Sequence, residues 1–147
     1  MAKTKKTVPV YQEEINVLDF CQKGNSIKMI KDFFPHVPWR TLQGMSANVQ
    51  SKLGATNLTH AVALSIRAGT LKSFIIMLNY QQQIAAISKR ENEILDLLQH
   101  GLSAVQIGKK LNISPYTVRD HIAAIKTKLG AKNTPNAVAI AIHTGLI

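Results

Sequence analysis

Over residues 113–129 the chain reads ISPYTVRDHIAAIKTKL, in which Val118, Ile122, Ile125 and Leu129 recur at intervals of three and four. That spacing predicts one amphipathic helix with a buried stripe, and it leaves Arg119, Asp120, Ala123, Lys126 and Thr127 on the opposite face. Ser114 and Pro115 mark its start. The hydroxyl can cap free backbone N–H groups, and proline fits a first turn where its missing N–H is not needed. A shorter periodic stretch over 103–111 precedes it, with Ile107 and Leu111 inward. Only Asn112 and Ile113 separate the two, which predicts a sharp helix-turn-helix crossing. Further upstream, Ser88-Lys89-Arg90-Glu91 places a serine and a glutamate at capping-box spacing. It opens a helix reaching about His100, with Ile94, Leu95 and Leu98 inside and Gly101 as a left-handed stop. Thr134-Pro135 reads as the cap-and-proline start of a fourth helix.

This pattern occurs twice. KLGATNLTHAVALSIRAGTL, from Lys52, returns as KLGAKNTPNAVAIAIHTGLI from Lys128, 76 positions later, and INVLDFCQKG, from Ile15, returns as NEILDLLQHG from Asn92 at a spacing of 77. The first copy thus carries one extra residue, placed near Pro35 and His36. The expected fold is all-α: two tandem four-helix helix-turn-helix units, at 11–70 and 88–147. A connecting helix is expected over 71–87, where Phe74, Ile75, Leu78 and Ile84 keep helical spacing without Pro or Gly. Residues 1–10, with Lys3, Lys5 and Lys6 among small polar side chains, are expected to form a basic flexible tail, either simply solvated or touching phosphate.

The fourth helices raise a separate question, because Ala137-Val138-Ala139-Ile140-Ala141-Ile142 is apolar on every side. Its counterpart, Ala61-Val62-Ala63-Leu64-Ser65-Ile66, is nearly so. A small unit cannot bury both sides of such a helix alone. An interface is therefore expected through Val62, Ile66, Val138, Ala141 and Ile142, within one chain or between two.

Charge and chemistry narrow the function. A formal net charge of +10 and a pI near 10.0 favour polyanionic partners, nucleic acid before an anionic membrane surface. No apolar run is long enough to span a bilayer, and the basic N-terminus lacks the apolar stretch of a signal peptide. The single Cys21 rules out an intramolecular disulfide framework, which fits a reducing cytoplasm, and the repeat aligns it with Leu98 on an inner helix face. His36, His60, His100, His121 and His143 are dispersed, without metal-ligand spacing. Neither a phosphate-binding glycine loop nor a nucleophile with a nearby base is present. No cofactor, metal or enzymatic activity is expected.

The second unit, from Ser88-Lys89-Arg90-Glu91 through Gly101-Leu102-Ser103, Thr117-Val118-Arg119, His121, Lys128-Leu129-Gly130, Asn133 and Ala137-Val138 to Gly145-Leu146-Ile147, closely resembles the LuxR/FixJ/GerE-type helix-turn-helix DNA-binding domain. The resemblance covers about the last 60 residues and, more weakly, the first unit. It implies bacterial or phage transcription control, double-stranded DNA as partner and dimerisation through the fourth helix. Position by position, it puts Thr117 and His121 at the phosphate backbone, and Ser114 and Tyr116 are expected among the DNA-binding residues. Arg119, Asp120 and Ala123 then face base edges, where arginine suits guanine by pairing with two acceptors. Lys109, Lys110, Lys126 and Lys128 add phosphate contacts that position without specifying sequence. The family often has a basic or polar residue at the Ala123 position and a neutral one at Asp120, so this chain's direct readout is narrowed.

The first unit departs further. In its third helix the serine cap becomes Pro38, Arg119 becomes Gln43, Asp120 becomes Gly44 and His121 becomes Met45. A helix-interior glycine costs about 1 kcal/mol relative to alanine, yet Leu42, Met45, Val49 and Leu53 keep the inner stripe. Arg40, Thr41 and Gln43 remain as weak DNA contacts, and Trp39 either caps the helix start, half buried, or contacts DNA or a partner. The expected protein is a transcriptional regulator reading DNA through the second unit, with the first serving dimerisation or partner contacts. It acts as a homodimer or as an intramolecular pseudo-dimer, with another LuxR-type regulator or RNA polymerase as further partners. The alternative is an antagonist that sequesters a related regulator through the apolar fourth helices.

Overall fold

The computed structural model describes residues 12–71 and 81–147, so the expected basic tail and residues 72–80 of the expected connector lie outside the described residues. Within them, every regular element is a helix. The N-terminal set is α1 (Gln12–Gln22), α2 (Ile27–Phe33), α3 (Trp39–Leu53) and α4 (Leu58–Arg67). After α5 (Gln81–Ala85), the described helix of the connector, comes the C-terminal set: α6 (Lys89–Gln99), α7 (Ala104–Leu111), α8 (Pro115–Leu129) and α9 (Thr134–His143). Helix lengths run 11, 7, 15 and 10 residues in the first set and 11, 8, 15 and 10 in the second.

Local chemistry explains the boundaries. Ser88 and Ser103 each form a full capping box, with Glu91 and Gln106 reaching back to the cap N–H. Each box satisfies two donors that a helix start leaves free. One boundary differs from expectation. The cap of α9 is Asn133, whose Oδ1 accepts from Asn136 N–H at 3.0 Å, while Thr134 is already helical. Asn57 does the same for α4 through His60 N–H. Asparagine in extended backbone outcompetes threonine here because its carbonyl reaches the third residue of the helix directly.

The α7–α8 turn is tight for a steric reason. Asn112 adopts the left-handed conformation at φ 54°, and Ile113 N–H bonds the Gly108 carbonyl at 2.9 Å. A Cβ on Gly108 would stand 2.7 Å from the Ile113 carbonyl oxygen, so only glycine lets the turn lie against α7. The repeat puts Lys31 at that position in the first set. There α2 is one residue shorter, and the turn opens to residues 34–38, which absorbs the extra residue of the first copy.

Each set has its own core. Ile94, Leu95, Ile107, Val118, Ile125 and Leu129 are buried together in the second, and Leu18, Cys21, Val49 and Val62 in the first. Burying each such aliphatic side chain contributes about 1.5–3 kcal/mol. Burial pushes the Cys21 thiol up to about 12, so it stays protonated as a core side chain. A smaller cluster of Val17, Ile30 and Leu42 has the half-buried Trp39 packed against it. The sets are joined mainly by α4 packing on α9, with α1 against α9 and α4 against α6. The fourth helices thus cover one another within one chain. Val62 and Val138, expected at that interface, sit in the clusters of their own sets, as do Ile66, Ala141 and Ile142. Among the buried apolar side chains, Ala63 belongs to the second core and Ala139 to the first. Alanine serves because its small side chain lets two helices approach closely while still filling the shared core. No helix among the described residues is long and apolar enough to cross a membrane.

Candidate nucleic-acid interface

The candidate surface is built on α8, and its first turn is fixed before any ligand arrives. Ser114 Oγ accepts from Thr117 N–H at 3.0 Å and lies 2.8 Å from Thr117 Oγ1. Both hydroxyls therefore stay at the exposed helix start. Val118, Ile125 and Leu129 are buried, with Ile122 half buried beside them. With that stripe anchored, Tyr116, Arg119, Asp120, Ala123 and Thr127 are exposed along the other side, and Lys126 and His121 flank them half buried. Tyr116 is 72% exposed, a large aromatic ring left open to solvent. Lys109 and Lys110 are exposed in the last turn of α7, where cations also complement the helix dipole.

One expected contact has another task. Lys128 Nζ lies 2.7 and 2.8 Å from the two carboxylate oxygens of Glu91, which is buried at the start of α6. Burial would raise the Glu91 carboxyl, but the hydrogen bonds from Lys128 and Ser88 outweigh it and hold the carboxyl below its ordinary value. Lys128 is thus a strut between α6 and α8. Arg90 is a second strut that sequence reasoning passed over. It bonds Glu93 at 2.8 Å and the Leu111 carbonyl at 2.8 Å, tying α6 to the end of α7. Both helices of the helix-turn-helix are therefore held from α6. A signal for the first strut was present, since the repeat pairs Glu14 with Glu91 and Lys52 with Lys128, and Lys52 lies 2.7 Å from Glu14.

The corresponding face of the N-terminal set is chemically different. Arg40, Thr41 and Gln43 are exposed on α3, but Gln50, at the position of Lys126, turns back to the Ser46 carbonyl at 3.0 Å. Asp32 and Phe33 stand where Lys109 and Lys110 stand in the second set. Pro38 opens α3 without a side-chain cap. A groove of about 570 Å³ runs along Gln43, Ala47 and Gln50 to Pro135, with Lys28 as its one charged lining residue. Among the described residues, no group of three or more His, Cys, Asp or Glu is placed to hold a metal.

Residues 85–141 match the luxR family of bacterial regulatory proteins, the GerE domain. The transcriptional activator SolR of Ralstonia solanacearum is 40% identical over 81 residues, covering 54% of this chain and 34% of SolR. The transcriptional activator BjaR1 of Bradyrhizobium diazoefficiens is 39% identical over 61 residues, 42% of this chain and 25% of BjaR1. The transcriptional regulatory protein FixJ of Azorhizobium caulinodans is 37% identical over 65 residues, 44% of this chain and 31% of FixJ. Each match spans about a third or less of the relative's own length. No solved structure matches the chain. The C-terminal set is a LuxR-type helix-turn-helix domain.

Proposed function

From that LuxR-type domain we propose that the chain regulates transcription by binding duplex DNA, with α8 entering the major groove. Arg119 reads a base, its planar guanidinium pairing with the two acceptors of guanine. Asp120 and Ala123 lie beside it as a candidate acceptor for a cytosine amino group and a candidate methyl contact. Ser114, Tyr116, Thr117, His121, Lys109, Lys110 and Lys126 meet phosphates and set the register. The observation that carries this reading is the exposed stripe of α8, presented by a helix that is capped at one end and strutted from α6 at the other. The relatives that share this domain are named as transcriptional activators or regulators.

The test is a titration of the full-length protein on fragments of its own upstream DNA and on random duplex, across salt, with Arg119→Ala alongside. One preferred fragment is expected, and the substitution weakens that binding by about 1–3 kcal/mol while non-specific binding persists. Equal, salt-sensitive binding to every fragment would leave only charge attraction and remove Arg119 from the site. The antagonist reading needs an apolar fourth helix open to a second protein, and the mutual burial of α4 and α9 tells against it. Co-purification of a related regulator with the full chain would revive it.

A further inference from the structure

The contacts between the two helix sets come in pairs related by the repeat. Ala63 enters the second core and Ala139 the first, 76 positions apart. Arg67, on α4, donates through Nε to Gln99 Oε1 at 2.9 Å, and His143, its equivalent on α9, has Nε2 3.3 Å from Oε1 of Gln22, the equivalent of Gln99. Gln22 and Gln99 are both buried, and each donates to an aspartate three residues back, Asp19 and Asp96, at 2.7 Å. Gly24 and Gly101 both have left-handed backbone. A Cβ at Gly24 would strike Lys132 and Asn136, and one at Gly101 would strike Thr56 and His60, the equivalents of those two residues.

When residue i of one unit meets j of the other, and j meets i, the interface has two-fold symmetry and is closed. That is the relation found here, but inside one polypeptide. Residues Ala61, Val62, Ala63 and Ser65 of α4, and Asn136 through Ala141 of α9, are already buried. The large hydrophobic side chains exposed among the described residues are Met29, Phe34, Val105 and Tyr116, none of them on α4 or α9. A second copy finds no fourth-helix face to dock on. The symmetry also places α3 in its set as α8 is placed in the other, so the two helices occupy the two reading positions of a pseudo-dimer. Their outward chemistry differs: Arg119 and Lys126 are answered by Gln43 and Gln50, and the Lys109-Lys110 pair by Asp32-Phe33, which leaves α3 the weaker set of Arg40, Thr41 and Gln43.

Resting on the DNA-binding reading above, we infer that this chain recognises DNA as a monomer, on an asymmetric duplex site with one base-specific segment under α8 and a flank that α3 covers without reading. Selection of the full-length protein on a random duplex library is expected to return one non-palindromic motif, bound by one protein per duplex. A duplex with one copy of that motif should bind within about twofold of an inverted repeat of it, the statistical factor alone. The free protein should sediment at its chain mass of 16.2 kDa up to high micromolar concentration. A palindromic motif, two proteins per duplex, a loss of about a hundredfold on deleting one copy, or a free species of twice the chain mass would each overturn the inference while leaving α8 as the reading helix. Monomer mass with no motif at all would instead sink the DNA reading on which it rests.

Discussion

Helices α3 and α8 are one element carrying two different faces. Both have 15 residues and end on a left-handed glycine, Gly54 at φ 66° and Gly130 at φ 63°. Beyond each glycine the same bond closes the turn, from Ala55 N–H to the Gln50 carbonyl and from Ala131 N–H to the Lys126 carbonyl, both at 2.8 Å. Each is strutted by a lysine near its end to a buried glutamate on the first helix of its set. The outward side chains and the start of the helix differ. The comparison teaches that the inner stripe, the strut and the glycine stop are enough to hold the fold, while the outer stripe and the serine cap can change independently of it. Binding chemistry is carried by the part of the helix that folding does not constrain.

The largest expected effect breaks this comparison at the turn that precedes each helix. Gly108→Ala adds a Cβ 2.7 Å from backbone oxygen, which neither a rotamer nor a flexible side chain can relieve. A loss of about 2–3 kcal/mol is expected in denaturant unfolding, although alanine is otherwise the better helix former. At the equivalent Lys31, exposed before a longer turn, Lys31→Ala should change stability by no more than about 0.5 kcal/mol. Equal effects at the two sites would mean that the tight turn does not depend on this glycine.

The strut and the surface cations come next. Lys128→Ala leaves Glu91 buried without its ammonium, and because Lys128 keeps a side-chain exposure of 35% the expected loss of stability is about 1–2 kcal/mol. Its effect on DNA affinity, measured well below the melting transition, should be small. Lys126→Ala should do the opposite, leaving the melting temperature in place and reducing the salt slope of binding by about one. A salt-slope change for Lys128→Ala as large as that for Lys126→Ala would make Lys128 a phosphate contact as well as a strut.

A smaller effect works in the favourable direction. A Cβ on Gly44 in α3 would meet nothing within 4 Å, so Gly44→Ala should stabilise the chain by about 1 kcal/mol in thermal or denaturant melts. A destabilised Gly44→Ala would show that this glycine holds a close approach which the described residues do not contain. Its open surroundings contrast with those of Gly108, and the difference follows from position alone, outward on α3 against inward beneath a turn.

These residues also show how far the sequence could be read. Periodicity, caps and the two spacings of 76 and 77 located eight of the described helices, because those signals are local or recur at a fixed offset. The outer stripe of α8 was legible for the same reason, since helical spacing alone puts Arg119, Asp120 and Ala123 together. Pairing across distance left only an indirect trace, the recurrence of Glu14 and Lys52 as Glu91 and Lys128. Lys128 looked like a surface cation until Glu91, 37 positions away, was found beneath it. The two alanines that join the opposite core, Ala63 and Ala139, were not among the expected interface residues Val62, Ile66, Val138, Ala141 and Ile142. A helix that is apolar all round gives no phase from which to choose its outward side.

The interface between the sets is symmetric in position but not in chemistry, and acid should expose the difference. Where α4 carries Arg67 against Gln99, α9 carries His143 against Gln22, and only the histidine titrates in the accessible range. Burial lowers the His143 pKa from 6.5, and burial together with the nearby His100 lowers that of His60, which stands over Gly101 at the same interface. A histidine whose folded pKa is depressed is favoured neutral in the fold. Its contribution is complete above the unfolded value near 6.5 and declines as pH falls from there through the folded value, because the unfolded chain then binds more protons. The melting temperature should therefore fall between about pH 7 and pH 5, and His60→Gln with His143→Gln should flatten that decline while leaving the higher-pH plateau largely in place. A decline of unchanged steepness in the double variant would overturn the assignment to these two histidines, and Glu91 would not replace them. Its lowered pKa places its own loss at more acidic pH, below its ordinary value of 4.5.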